Sequence, residues 1–261
     1  MPDFPIESQP ERRNWVWSTI QLVLRLVFAL WLRYRARGHE HIAHRGGMLL
    51  IINHQSFLDP LLVGLPLRRP VSFVARENLF RVPFVGWVLR NTYVLPINRE
   101  SAGTAVLREM IARLRAGFWV GIFPEGTRSP DGKLGEIKPG FLAMLRRANV
   151  PVCPVGVAGA DRALGRNHKL PHFSTVRVVF GEPISAEQVA ETLKLGEAAL
   201  LELIRTRLEA CMAEACEWRD RSLPHSPEYG RIVVSPRVLA NAATELSTAW
   251  PATVPGSNPN R

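Results

Sequence analysis

An α/β fold is what the sequence predicts: one domain, with a central mostly parallel or mixed twisted sheet flanked by helices. Three observations carry that reading. After residue 45, short apolar, β-branched runs alternate with longer stretches of helical periodicity. A chain of 261 residues, 46% apolar and 21% charged, can bury a substantial core. Two apolar runs break into polar turns, in LIINHQSFLDPLL (50–62) and WVGIFPEGTRSPDG (119–132), as strands do at the carboxyl edge of an open sheet, where such folds hold ligands.

The first element lies between Arg13 and Arg33. It has the length of a spanning helix but carries Arg25 near its middle, at an insertion cost of about 2.5–3.5 kcal/mol. Asn14, Ser18, Gln21 and Arg25 recur at spacings of four, three and four and form one polar stripe; Trp15, Trp17, Val23, Leu24, Leu26, Val27, Leu30 and Trp31 cover much of the rest. The pattern predicts an amphipathic helix in the membrane interface, its stripe in water, rather than one that crosses. Arg33, Arg35 and Arg37 follow directly and suit anionic headgroups. The competing reading is a helix packed on the protein's own core. A cleaved signal peptide is not expected, because Arg25 interrupts the apolar region and no small-x-small site follows it. Residues 1–37 are therefore read as a membrane-associating segment, 38–221 as the folded domain and 222–261, rich in Pro, Ser, Thr, Asn and Ala, as a disordered C-terminal tail.

Within the domain the expected strands are Met48–Ile52, Val71–Ala75, Tyr93–Ile97, Trp119–Phe123, Val152–Val157 and Val176–Phe180. Thr104–Ala116 shows helical spacing and Gly117 stops it; Phe141–Ala148 and Gly196–Trp218 are the other expected helices. The three cysteines are an odd number without metal-ligand spacing, which fits a reducing, cytoplasmic environment. Cys153 sits in an apolar Val-Pro run and reads as a buried, inert thiol. A formal charge of +10 calls for an anionic partner. Nucleic acid is disfavoured, because the arginines are scattered through apolar segments and no nucleic-acid motif is present. His39, His41 and His44 lack metal-site spacing, so no metal is expected.

The two broken strands carry the chemistry. Asp59-Pro60 reads as a helix start, with Asp59 as N-cap and Pro60 as the first helical residue. Asp59 lies five positions after His54, so the carboxylate could equally accept from one ring nitrogen and leave the other free as a base. Both readings stand at this level. After the second strand come Glu125, Gly126, Thr127 and Arg128; a glycine allowing close approach, a hydroxyl and an arginine are groups that hold a phosphate.

Together these stretches resemble the glycerolipid acyltransferases, specifically the 1-acylglycerol-3-phosphate (lysophosphatidic acid) acyltransferases. NHQSFLD (53–59) matches the family's Asn-His-x-x-x-x-Asp, and FPEGTRS (123–129) its second signature. Residues 75–101 resemble its middle block, ending near Arg99, and VPVCPV (150–155) its later strand. Tyr93 and Arg76 depart from the family's usual glycine and lysine. The resemblance implies direct acyl transfer from an acyl thioester, acyl-CoA or acyl carrier protein, to the sn-2 hydroxyl of 1-acylglycerol-3-phosphate, making phosphatidic acid. It implies His54 as general base and Asp59 orienting it. Arg99, Glu125, Gly126, Thr127 and Arg128 would form the acceptor site, edged by Lys138, with both arginines on the phosphate. No cofactor beyond the thioester co-substrate is implied. The expected partners are membrane lipids and the acyl donor, at the cytoplasmic side of the cell membrane, peripherally. Another lyso-lipid acceptor, such as a lyso-ornithine lipid, or a non-catalytic lipid-binding protein of the same fold, are the alternatives.

Overall fold

Met48–Ile52 (β2) is aliphatic at every position, and all five residues are buried, because both faces of the strand are covered. The computed structural model describes residues 15–42, 45–92, 94–97, 103–166 and 170–223. It builds β2 into the middle of a six-stranded sheet of order β1-β8-β7-β2-β6-β3. The flanking strands are Arg35–Arg37 (β1), Val71–Ser72 (β3), Trp119–Ile122 (β6), Val152–Ala158 (β7) and Arg177–Phe180 (β8). All neighbours pair in parallel except β7 with β8, so the sheet is mixed, as expected.

One face carries Leu50, Ile52, Val155, Val157 and Val178, under Phe28 of α1 (Trp15–Trp31), Leu32 just after it, and Leu62 and Val63 of α2 (Asp59–Gly64). The other carries Leu49, Ile51 and Val152, under α4 (Gly103–Arg115), α5 (Leu142–Ala148) and α8 (Glu197–Arg221). The expected strand Val71–Ala75 divides: β3 stays in the main sheet, while Val74–Arg76 (β4) turns away to pair with Leu95–Ile97 (β5) in a second, two-stranded sheet. Three helices lie outside the sequence expectation: α3 (Pro83–Asn91), α6 (Ala160–Leu164) and α7 (Ala186–Leu195). The α7 signal was present in the sequence, since Ser185 caps the helix by accepting from Gln188 N–H. The expected tail falls almost wholly outside the described residues.

The amino-terminal helix differs from expectation in orientation. Its polar stripe is only partly in water: Ser18 and Arg25 are exposed, Asn14 lies outside the described residues, and Gln21 turns inward. Gln21 is 4% exposed and donates to the carbonyls of Gly64, Leu65 and Leu67 at 3.1, 3.3 and 2.9 Å. Arg25 donates to Leu65 O, and the Tyr34 hydroxyl to Leu62 O. These groups engage carbonyls at the end of α2 and just beyond it, where the helix itself supplies few donors. The outward face is instead apolar: Leu22, Val23, Leu26, Val27 and Leu30 are exposed, Leu30 to 83%. The sheet also begins before residue 38, because β1 pairs with β8 from Arg35↔Arg177 to Arg37↔Val179.

Candidate active site

Parallel pairing of β2 with β6, in register from Met48↔Trp119 to Ile51↔Ile122, brings the two polar turns out side by side at one edge of the sheet. Asn53 fixes the first turn: its side chain donates to Val157 O at 2.9 Å and accepts from Val157 N–H at 2.7 Å, continuing the sheet pattern one residue past β2.

His54 follows, and its Nδ1 lies 2.8 Å from Asp59 Oδ2. Asp59 is fully buried. It is not an N-cap: Leu58 occupies that position and makes no side-chain cap bond. The Asp59 carboxylate turns back on the preceding loop, where Oδ2 also accepts from the main-chain N–H of Gln55 and Ser56, each at 2.7 Å. Burial pushes the Asp59 carboxyl above the usual carboxylate range; the His54 and main-chain hydrogen bonds act in the opposite direction. With the carboxylate ionised, Nδ1 carries the proton and Nε2 offers its lone pair. Nε2 has no hydrogen-bond partner among the described residues. The imidazole is stacked on Phe123, ring centroids 4.0 Å apart, so its plane is held as well as its edge.

Glu125 was expected in the acceptor site, and its carboxylate is engaged by main-chain groups. It is buried, and Oε1 accepts from the His54 N–H while Oε2 accepts from the Gly135 N–H, both at 2.8 Å. A Cβ at position 135 would stand 2.9 Å from Oε2, so only glycine permits this approach. Burial raises the Glu125 pKa against the pull of both N–H groups. Glu125 therefore fastens the backbone that carries the imidazole. The main-chain N–H of Ser129 donates back to His54 O at 2.7 Å and closes the same link.

Gly126 adopts φ +70°, a left-handed turn, and a Cβ there would meet Lys138 Nζ at 3.3 Å. Lys138 thus lies beside Gly126, with its N–H on Pro124 O. Thr127 is exposed. Arg128 is half-buried, its guanidinium stacked 3.6 Å over the ring of Phe57. Arg99 lies outside the described residues, as do Tyr93 and His44. Sequence reasoning missed Asn53, Phe57, Phe123 and Gly135; the first three lie within the quoted motifs, whereas Gly135 carried no signal. Cys153 is fully buried, and burial raises its pKa, in keeping with an inert thiol. His39 and His41 engage Glu40 and Glu182. A base held by a buried acid, next to a cationic turn, can remove a proton from a bound hydroxyl.

Residues 33–158 match the family model described as Acyltransferase. A 1-acyl-sn-glycerol-3-phosphate acyltransferase of Pseudomonas aeruginosa is 33% identical over 198 residues, covering 72% of this chain and 73% of the relative. Chloroplastic 1-acyl-sn-glycerol-3-phosphate acyltransferases of Brassica napus and Arabidopsis thaliana are each 34% identical over 138 residues, 51% of this chain. The chain spans only 40% and 38% of those two relatives' lengths. The crystal structure of a 1-acyl-sn-glycerophosphate (LPA) acyltransferase from Thermotoga maritima superposes with a TM-score of 0.64 at 26% identity, covering 76% of this chain and 80% of that one.

Proposed function

The chain belongs to the acyltransferase family, and on that premise we propose that it moves a fatty acyl group from an acyl thioester to the free sn-2 hydroxyl of 1-acylglycerol-3-phosphate, making phosphatidic acid. The observation that carries the mechanism is the 2.8 Å contact between His54 Nδ1 and the buried Asp59 carboxylate. In this reading His54 Nε2 takes the acceptor hydroxyl proton as the oxygen attacks the thioester carbonyl carbon. The tetrahedral intermediate then collapses, the C–S bond breaks, and the departing thiolate takes the proton from the imidazolium. Asp59 balances the transient positive charge. Arg128, held on Phe57, is proposed for the acceptor phosphate together with Arg99, and Lys138 for the rim of the same site. Acyl-CoA and acyl carrier protein are the two candidate donors.

The acceptor lives in a bilayer, and the outward apolar face of α1 supports peripheral binding there, proposed at the cytoplasmic side. No described helix is long and apolar enough to cross a membrane. Gln21 and Arg25 tie α1 to the end of α2, the helix that begins with Asp59, so the lipid-facing helix and the reacting pair belong to one packed unit. The test is purified protein assayed with a panel of lyso-lipids, including a lyso-ornithine lipid, against both donor types. Transfer to 1-acylglycerol-3-phosphate with acyl thioester consumption is expected; transfer only to acceptors lacking the phosphate would overturn the acceptor assignment.

A further inference from the structure

At the β1 edge of the sheet lies a cavity of about 390 Å³, three strands away from His54, lined by Arg25, Tyr34, Arg35, His39, Pro66 and Trp218 among others. Its charge is unbalanced. Arg35 makes no ion pair among the described residues. Its register partner on β8 is Arg177, which is 4% exposed and has no carboxylate partner among the described residues. Arg177 Nη1 donates to the carbonyls of Arg33 and Val176 at 2.6 and 2.9 Å, while Nε is buried without a hydrogen-bond partner. The guanidiniums of Arg37 and Arg177 stack on the Trp218 ring, 4.7 and 5.1 Å from its centroid; Arg37 alone is neutralised, by Glu214 at 2.5 Å. Burial, and then the neighbouring Arg35 charge, disfavour the charged form of Arg177, yet arginine does not give up its proton in proteins. A buried cation next to a second unpaired one is costly unless an anion joins them.

The cavity is also placed beside lipid-facing surface. Arg25 borders the buried side of α1, whose opposite side exposes Leu22, Leu26 and Leu30. We propose that this corner is a second anion site, where Arg35 and Arg25, backed by Arg177, hold the phosphate of an anionic membrane phospholipid whose acyl chains run along the outward face of α1, apart from the site of acyl transfer. The proposal rests on the membrane reading above for the source of its ligand. It gives the enzyme a headgroup contact on a lipid that is not its substrate.

The test uses the full chain and short-chain phosphatidylglycerol below its micelle concentration, so no bilayer is needed. Tryptophan emission should change saturably as the lipid is added, and the Trp218→Phe protein should lose that change. Arg35→Gln, an exposed substitution, should raise the apparent Kd about tenfold, the loss of one charge-assisted contact. Turnover of Arg35→Gln on a soluble short-chain acceptor should remain that of the parent. Arg128→Ala should keep the emission response, which separates this cavity from the acceptor site. Wild-type titration by both Arg35→Gln and Arg25→Gln would overturn the proposal, and an equal response to inorganic phosphate at the same concentration would overturn its assignment to lipid. Vesicle binding by a Leu30→Asp protein reports on the membrane reading separately, since the monomeric titration does not depend on it.

Discussion

The main-chain N–H of His54 donates to the Glu125 carboxylate at 2.8 Å, so the turn after β6 holds the turn after β2. Two motifs 71 residues apart in sequence are joined, with Glu125 holding the backbone of His54 and Asp59 holding its ring.

His54→Ala should lower turnover by about 10²–10⁴-fold, the usual contribution of a general base. The side chain is partly exposed, so the circular dichroism spectrum and Tm should stay near those of the parent. Unchanged turnover in the folded variant would remove His54 from the chemistry.

Asp59→Asn separates charge from shape. Burial raises the folded-state pKa of Asp59, so its ionisation opposes folding. That opposition is absent below the unfolded pKa of about 3.9, where the group is protonated in both states, and complete above the folded pKa. At neutral pH the Asn variant should therefore be at least as stable as the parent in urea, with its advantage shrinking as pH falls through the raised pKa. Turnover should nevertheless drop by a factor on the order of 10²–10⁴, because the imidazolium has lost its counter-charge.

Glu125→Gln leaves one of two buried N–H donors, from His54 or Gly135, facing an amide NH₂. A cost of about 1–3 kcal/mol follows from the unsatisfied pair, offset in part by removal of a buried charge. Steady-state kinetics should show kcat falling with the acceptor KM little changed. A rise in acceptor KM alone would return Glu125 to the acceptor site.

Arg128→Ala should weaken a phosphate-bearing acceptor by roughly 10–100-fold, the loss of a hydrogen bond to a charged group at about 1.5–3 kcal/mol. An acceptor without the phosphomonoester should be affected far less, and Arg99→Ala should follow the same pattern. Phe57→Leu should reproduce part of the Arg128 effect, since the ring lies stacked against the guanidinium. Equal losses on both acceptors would mark the arginine as structural.

Leu30→Asp and Leu32→Asp, two positions apart on the α1 side of the fold, should have opposite consequences. Leu30 is exposed, so its replacement should cut binding to anionic vesicles while leaving Tm near that of the parent. Leu32 is fully buried beneath the sheet, so its replacement should unfold the protein. For the same reason, removing residues 1–37 takes away Phe28, Leu32 and the strand β1, and loss of the fold is the expected outcome.

Much of the fold was legible because local pattern reports local burial. Met48–Ile52 and Val152–Val157 read as strands since every position is apolar, and every position is buried in the sheet. Thr104–Ala116 read as a helix because its apolar residues repeat at helical spacing and only one side of the observed helix, Gly103–Arg115, packs. Both site motifs were legible for a similar reason: polar and charged residues interrupt strands that would otherwise bury themselves. Shorter elements such as β1 and α6 were not, since a strand of three residues or a helix of five offers too little periodicity to distinguish it from a turn.

From the sequence alone came the two candidate site motifs and the α/β class; what each polar side chain is directed toward was decided by tertiary structure. Asp59 beside Pro60 reads equally well as a helix cap or as the partner of His54, and only the backward path of the loop turns its carboxylate to the imidazole. Glu125 reads as a pocket residue until the parallel pairing of β2 and β6 sets the His54 N–H against it. The stripe of Gln21 and Arg25 reads as a wet face until the carbonyl end of α2 is found beneath it. In each case the partner is a main-chain group or a side chain brought near by folding. Periodicity records that a residue needs a polar partner; it does not record whether water, lipid headgroup or backbone supplies it.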